Sequence, residues 1–171
     1  MICPSCGHDN LEGMDRCENC MKSLRDLDVP RADATAGLVR SVMEDNLSSL
    51  DQMETLTVSP DKPALDVARR MQEAQTGCAL VLDEEGKLVG IFTEHDVLRK
   101  LVSAGGDAQD VPVSQLMTGN PETLRESDSV AAALNKMALG RYRHVPIIRG
   151  DGSYSVASIK SVLKYIAQED W

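Results

Sequence analysis

Four of the chain's five cysteines stand within its first twenty residues, as Cys3-Pro4-Ser5-Cys6 and Cys17-Glu18-Asn19-Cys20. Two Cys-x-x-Cys knuckles joined by a short loop can bring four thiolates onto one tetrahedral ion. Zn²⁺ is the usual occupant, and Fe accepts the same donor set. Gly7 follows the first knuckle, where a positive φ turns backbone N–H groups toward the sulfurs. The segment has no Phe, Tyr or Trp and too few apolar residues for a core, so metal binding and folding should be one event. Four cysteines complete a tetrahedron, which leaves His8 as a solvated neighbour.

Residues 2–24 resemble the short zinc-ribbon family, whose pattern runs Cys-Pro-x-Cys-Gly, a polar loop, then Cys-x-x-Cys; Met21 stands where that pattern has its second glycine. Paired disulfides are the rival reading, but they belong to oxidising compartments. The N-terminus carries no charged-then-apolar signal segment, so a cytoplasmic chain with reduced thiols is expected. A thioredoxin-like redox role needs a single Cys-x-x-Cys at a strand–helix turn. Asp9, Glu12, Asp15, Glu18 and Asp26 outnumber Arg16, Lys22 and Arg25 in residues 1–26. This ribbon therefore lacks a basic face for phosphate backbones, and protein contacts or dimerisation are the expected use.

The elements that must position any further chemistry lie in the rest of the 171 residues. Hydrophobic content is 42% and aromatic content only 3%, so the core is expected to be aliphatic and methionine-rich. No apolar run reaches membrane length, and the net charge of −9 argues against broad nucleic-acid binding. Residues 29–37 read as the end of a linker over 27–37 that runs into a helix with Val39, Val42, Met43, Leu47 and Leu50 on a stripe.

From Leu56 onward an order of elements occurs twice. The first copy has a strand Leu56-Thr57-Val58 and a helix with Ala64, Val67, Ala68 and Met71 on one face. A strand over 77–82, a turn at Asp83-Glu84-Glu85-Gly86, a strand Lys87 to Phe92 and a closing helix with Val97, Leu98, Leu101 and Val102 follow. In the second copy Val130, Ala133, Leu134 and Met137 line the helix, and Met137 matches Met71 sixty-six residues earlier. Strand 145–148, a turn at Arg149-Gly150-Asp151-Gly152, strand 153–157 and a helix with Ile159, Val162, Leu163 and Ile166 complete it. Residues 103–107 separate the copies, and 112–117 read as a short helix opening the second. The chain so divides into a ribbon 1–26, a linker 27–37 and repeats 38–106 and 107–171.

This doubled β-α-β-β-α order resembles a tandem pair of cystathionine-β-synthase-type (CBS) domains, the Bateman module. The resemblance rests on Leu56-Thr57-Val58-Ser59-Pro60, Gly90-Ile91-Phe92-Thr93-Glu94-His95-Asp96, Val113-Ser114-Gln115-Leu116-Met117 and Arg143-His144-Val145-Pro146-Ile147. It implies an α/β (α+β) pair of repeats about a pseudo-twofold axis, two clefts that take adenosine-containing ligands such as AMP, ADP, ATP or S-adenosylmethionine, and homodimers. Within it, Asp96 would hold the ribose diol and Thr93 would assist, although Thr-x-x-Asp is equally a helix-capping arrangement. The second copy has Ser158 and Ser161 at those positions, and Ser155 where Gly90 stands, so its cleft is expected to be empty, weak or altered. Arg141, Arg143, His144 and Lys160 are the candidate phosphate cations, with adenine against Thr57, Val58 and Ala79. Cys78 reads as an inert core thiol and His95 as an exposed helix residue.

The leading expectation is a non-enzymatic regulatory module with an unidentified protein partner. An adaptor whose CBS pair only dimerises is the alternative, and a nucleic-acid-associated regulator is disfavoured by charge. The three histidines come without any nucleophile–base–orienter motif.

Overall fold

The computed structural model describes residues 3, 6–10, 16–21, 37–50, 55–101 and 110–168. The expected linker 27–37, except Gly37, lies outside them, as do Val102 and the separator 103–107. The chain divides into two units, residues 1–41 and 42–171. Helix α1 (Leu38–Glu44) runs through the boundary.

The second unit holds both repeats. The first comprises β1 (Thr57–Val58), α2 (Ala64–Glu73), β2 (Cys78–Leu82), β3 (Leu88–Thr93) and α3 (Glu94–Asp96), which continues as a π-helical turn over Val97–Leu101. A short α4 (Val113–Leu116) and β4 (Thr118–Gly119) follow. The second repeat has β5 (Leu124–Arg125), α5 (Val130–Gly140), β6 (His144–Ile148), β7 (Tyr154–Ser158) and α6 (Ile159–Gln168). In both repeats the first strand pairs parallel to the second, and the second antiparallel to the third. Strand β4, which the sequence pattern did not announce, adds a fourth strand beside β3. Two residues are too few for alternation to be read.

Period-two alternation explains how each sheet is covered on both faces. Ala79 and Val81 of β2 join Val58, Ala64, Val67, Met71 and Phe92 in a core beneath α2. Cys78 and Leu80, facing the other way, pack with Ile91, Leu82, Leu88, Tyr154 and Val156. That second cluster draws on both repeats, and Tyr154 Oη accepts a hydrogen bond from Leu88 N–H at 3.2 Å across it. In β6, Val145 and Ile147 enter the core under α5, with Val130, Ala133, Met137, Ala157 and Val162. His144 therefore projects to the same side as its counterpart Cys78, toward the other repeat.

The segments that precede the repeats cross over. Leu47 N–H donates to Asp128 O and Val130 N–H to Asp45 O, both at 2.9 Å. At the same sequence offset, Val113 N–H donates to Lys62 O and Ala64 N–H to Val111 O, both at 2.8 Å. Leu47 and Leu50 thus complete the core of the second repeat, and Val113, Leu116 and Met117 that of the first. The division at 38–106 and 107–171 is a division of the chain, and the packing passes across it. Burying such side chains stabilises by roughly 1.5–3 kcal/mol each.

Candidate ligand cleft and cysteine cluster

The two knuckles repeat one backbone device. Gly7 N–H donates to Cys3 O at 2.8 Å and Met21 N–H to Cys17 O at 2.9 Å, with φ of 72° at Gly7 and 57° at Met21. Met21 adopts the glycine conformation and is 62% exposed. The Sγ atoms of Cys3 and Cys20 stand 3.6 Å apart, as do those of Cys6 and Cys17, and all four ligand atoms lie within 4.8 Å of one another. Disulfide sulfurs would be about 2.0 Å apart, and no disulfide joins any of the five cysteines. Tetrahedral Zn–S bonds of about 2.3 Å require sulfurs roughly 3.8 Å apart, so the donor set fits a four-thiolate metal ion.

Burial would raise the Cys17 thiol, but the backbone N–H groups of Cys20 and Asn19 and the neighbouring sulfurs outweigh it, bringing the thiol to about 6. His8 is exposed and is not among the converging donors. Sequence reasoning passed over Asn10, which is buried and spans the knuckles: its Nδ2 donates to His8 O and its Oδ1 accepts from Glu18 N–H, both at 2.9 Å. An Asn after a glycine-containing turn carries no signal that separates this clamp from an ordinary loop polar residue.

In the second unit, a cavity of about 100 Å³ opens between the repeats. The first repeat contributes Thr55, Leu56, Thr76, Gly77, Cys78 and Glu94, and the second Arg143, His144, Val156, Ser158 and Lys160. The start of β6 places Arg143 and His144, the end of β7 places Ser158, and the first turn of α6 places Lys160. Ile159 N–H donates to Arg143 O at 3.0 Å and ties these pieces together. The His144 ring lies over Gly77, where a Cβ would stand 2.7 Å from Nε2 and 3.4 Å from Glu94 Oε2. Burial lowers the His144 imidazole below its ordinary value; Glu94 opposes the shift, and Lys160 and Arg143 add to it. Burial and Glu94 push the Cys78 thiol up to about 12, which makes it inert.

Of the candidate nucleotide residues, Arg143, His144, Ser158 and Lys160 line this cavity. The others lie elsewhere. Val58 and Ala79 are buried in the first core, Thr57 is exposed, and Arg141 is the left-handed C-cap of α5 with φ 54°. Thr93 and Asp96 form a complete capping box. Asp96 Oδ2 accepts from Thr93 N–H at 3.0 Å and from Thr93 Oγ1–H at 2.7 Å, while Oδ1 meets Lys100 Nζ at 2.7 Å. With Asp96 only 4% exposed, a ribose would have to displace these bonds. Gly90, expected near a ligand, lies under Met117, whose thioether a Cβ would meet. Ser158 and Ser161 cap α6 in turn: Ser158 N–H donates to Ser161 Oγ at 2.9 Å and Ser161 N–H to Ser158 Oγ at 3.0 Å. Glu94, Thr55 and Gly77 were not singled out from sequence, because their place in the cavity depends on the other repeat.

Among the described residues no helix is long and apolar enough to cross a membrane. A family model for the CBS domain matches residues 39–103 and 113–168. A CBS domain-containing protein of Arabidopsis thaliana is 36% identical over 102 residues, 60% of this chain; the match spans only 19% of that relative. A conserved protein of Pyrococcus horikoshii superposes with a TM-score of 0.67 at 25% identity, covering 75% of this chain and 96% of the other. A CBS-domain protein of Pyrobaculum aerophilum, solved in complex with AMP, superposes with a TM-score of 0.61 at 22% identity, covering 72% and 99%. Homology to CBS-domain proteins supports the absence of enzymatic activity. With two CBS matches across most of its length and the doubled fold they describe, this chain belongs to the CBS-domain family as a tandem, Bateman-type pair.

Proposed function

We propose that the chain is a cytoplasmic regulatory module that binds an adenosine-containing ligand between its CBS repeats and holds zinc in an N-terminal ribbon used for protein contacts. The observation that carries the ligand reading is the inter-repeat cavity, where Arg143, His144 and Lys160 converge beside Ser158. The cations receive the phosphate, and Thr93 and Asp96 serve the fold. AMP bound to a family member of the same fold supports the choice of ligand class. The cavity is smaller than a nucleoside site of about 300 Å³ or more, so binding requires it to widen. Titration with AMP, ADP, ATP and S-adenosylmethionine tests the reading. Arg143→Ala and Lys160→Ala should each weaken binding about ten- to a hundredfold, as loss of a charge-assisted contact does. No binding of any of the four at millimolar concentration overturns it.

The metal reading rests on the four converging sulfurs. Purified protein should carry about one zinc ion per chain. Cys17→Ser should lose the metal and unfold the ribbon, proposed as residues 1–26, without moving the melting of the repeats. Iron in place of zinc, or an empty site with intact thiols, would correct it.

A second reading, an adaptor whose CBS pair only dimerises, is favoured by Leu98 and Leu163. These stand in corresponding places on the two closing helices and are 69% and 57% exposed. Light scattering with and without AMP separates the two: a dimer indifferent to every adenosine ligand supports the adaptor.

A further inference from the structure

Three charged residues, all of them exposed, line the cavity. Arg143, Lys160 and Glu94 all line it, and among the described residues none of the three makes an ion pair. They come from opposite sides: both cations from the second repeat, and the carboxylate from the first residue of α3 in the first. The position of Glu94 is built in. Its N–H donates to Gly77 O at 3.1 Å, which closes the end of the β2–β3 ladder and sets its side chain at Gly77, beside the His144 ring. His144 adds no charge at neutral pH, since burial disfavours its protonated form. The lining therefore carries a net single positive charge, from two cations and one carboxylate.

We propose that Glu94 is the specificity-determining residue of this cleft, limiting its ligand to an adenosine with a single phosphate. The inference rests on the cavity being the ligand site. A monophosphate of one to two negative charges is matched by Arg143 and Lys160. Each further phosphate adds negative charge within a cavity of about 100 Å³ that already contains a carboxylate. Unit charges about 7 Å apart at an effective dielectric near 40 repel by an energy equivalent to roughly a sevenfold change in affinity.

The test is Glu94→Gln, which keeps shape and removes charge, with Glu94→Asp as the charge-retaining control. Binding is measured without Mg²⁺ by calorimetry for AMP and ATP, and for inorganic phosphate and tripolyphosphate. Wild type should prefer AMP to ATP by at least tenfold. Glu94→Gln should raise ATP and tripolyphosphate affinity about tenfold and leave AMP and phosphate within threefold, while Glu94→Asp keeps the wild-type order. An unchanged ratio of tripolyphosphate to phosphate overturns the inference whether or not AMP binds. A shifted ratio with no added affinity for any adenosine compound preserves the role of Glu94 and removes the adenosine reading. Equal weakening of every ligand by Glu94→Gln would make Glu94 a simple contact and also overturn the inference.

Discussion

The two repeats close their last helices with the same geometry and different chemistry. In the first, Thr93 and Asp96 cap α3, and Lys100 binds Asp96 while its Nζ also donates to Leu116 O of α4 at 2.7 Å. In the second, Ser158 and Ser161 cap α6 without a charge, and Tyr165 at the place of Lys100 donates its hydroxyl to Asp45. Each closing helix thus grips the segment that precedes the other repeat, once through an ammonium on helix-terminal carbonyls and once through a phenol on a carboxylate. The difference shows what a motif can conceal. The carboxylate that looks most like a ligand group makes a capping box and an ion pair with Lys100 in the first repeat. The cap of the second is neutral, and Arg143 and Lys160 near it line the cavity.

The largest effects should come from the crossover itself. Leu47→Ala should destabilise the second unit by about 2–5 kcal/mol, and Val113→Ala by a smaller amount, because each is fully buried in the core of the repeat it does not precede. Urea denaturation measures both. A loss below about 1 kcal/mol for Leu47→Ala would break the reciprocity. The caps come next. Asp96→Ala should cost about 1–2 kcal/mol and Ser161→Ala about 0.5–1.5 kcal/mol, with AMP affinity unchanged within twofold for Asp96→Ala. A tenfold loss of AMP affinity at an unaltered melting temperature would return Asp96 to the ligand.

The smallest effect is the pH dependence of His144. Its folded value lies below the ordinary one, so the unfolded chain binds the proton more readily. Its contribution to stability is complete above the unfolded value of about 6.5 and is lost as pH falls below it. The urea midpoint should fall more between pH 7.5 and 5.5 in wild type than in His144→Gln. Equal falls would place the imidazole in open water.

Much was legible before any coordinates. Apolar spacing identified the buried faces of α2 and α5, since Ala64, Val67 and Met71 recur in register with Val130, Ala133 and Met137. Asp-Gly and Glu-Gly turns located both hairpins, where Gly86 and Gly152 adopt φ of 78° and 83°. Strand β4 was not legible because it is two residues long and exists only as a pair with β3. Asp96 was read as a ribose ligand with capping as the alternative, because Thr-x-x-Asp is the same string in either case.

The amino-acid sequence alone determined the cysteine donor set, the order of elements and the faces that must be buried, because thiolate chemistry, helical period and strand alternation act over a few residues. Tertiary structure alone decided that Leu47 belongs to the second core and Val113 to the first. It alone also brought Glu94 of one repeat into one cavity with Arg143 and Lys160 of the other. Those outcomes depend on how two sheets pack and which backbone groups they leave to be paired across the interface. Burial and hydrogen-bond geometry between segments far apart in the chain settle them, and no local spacing encodes that.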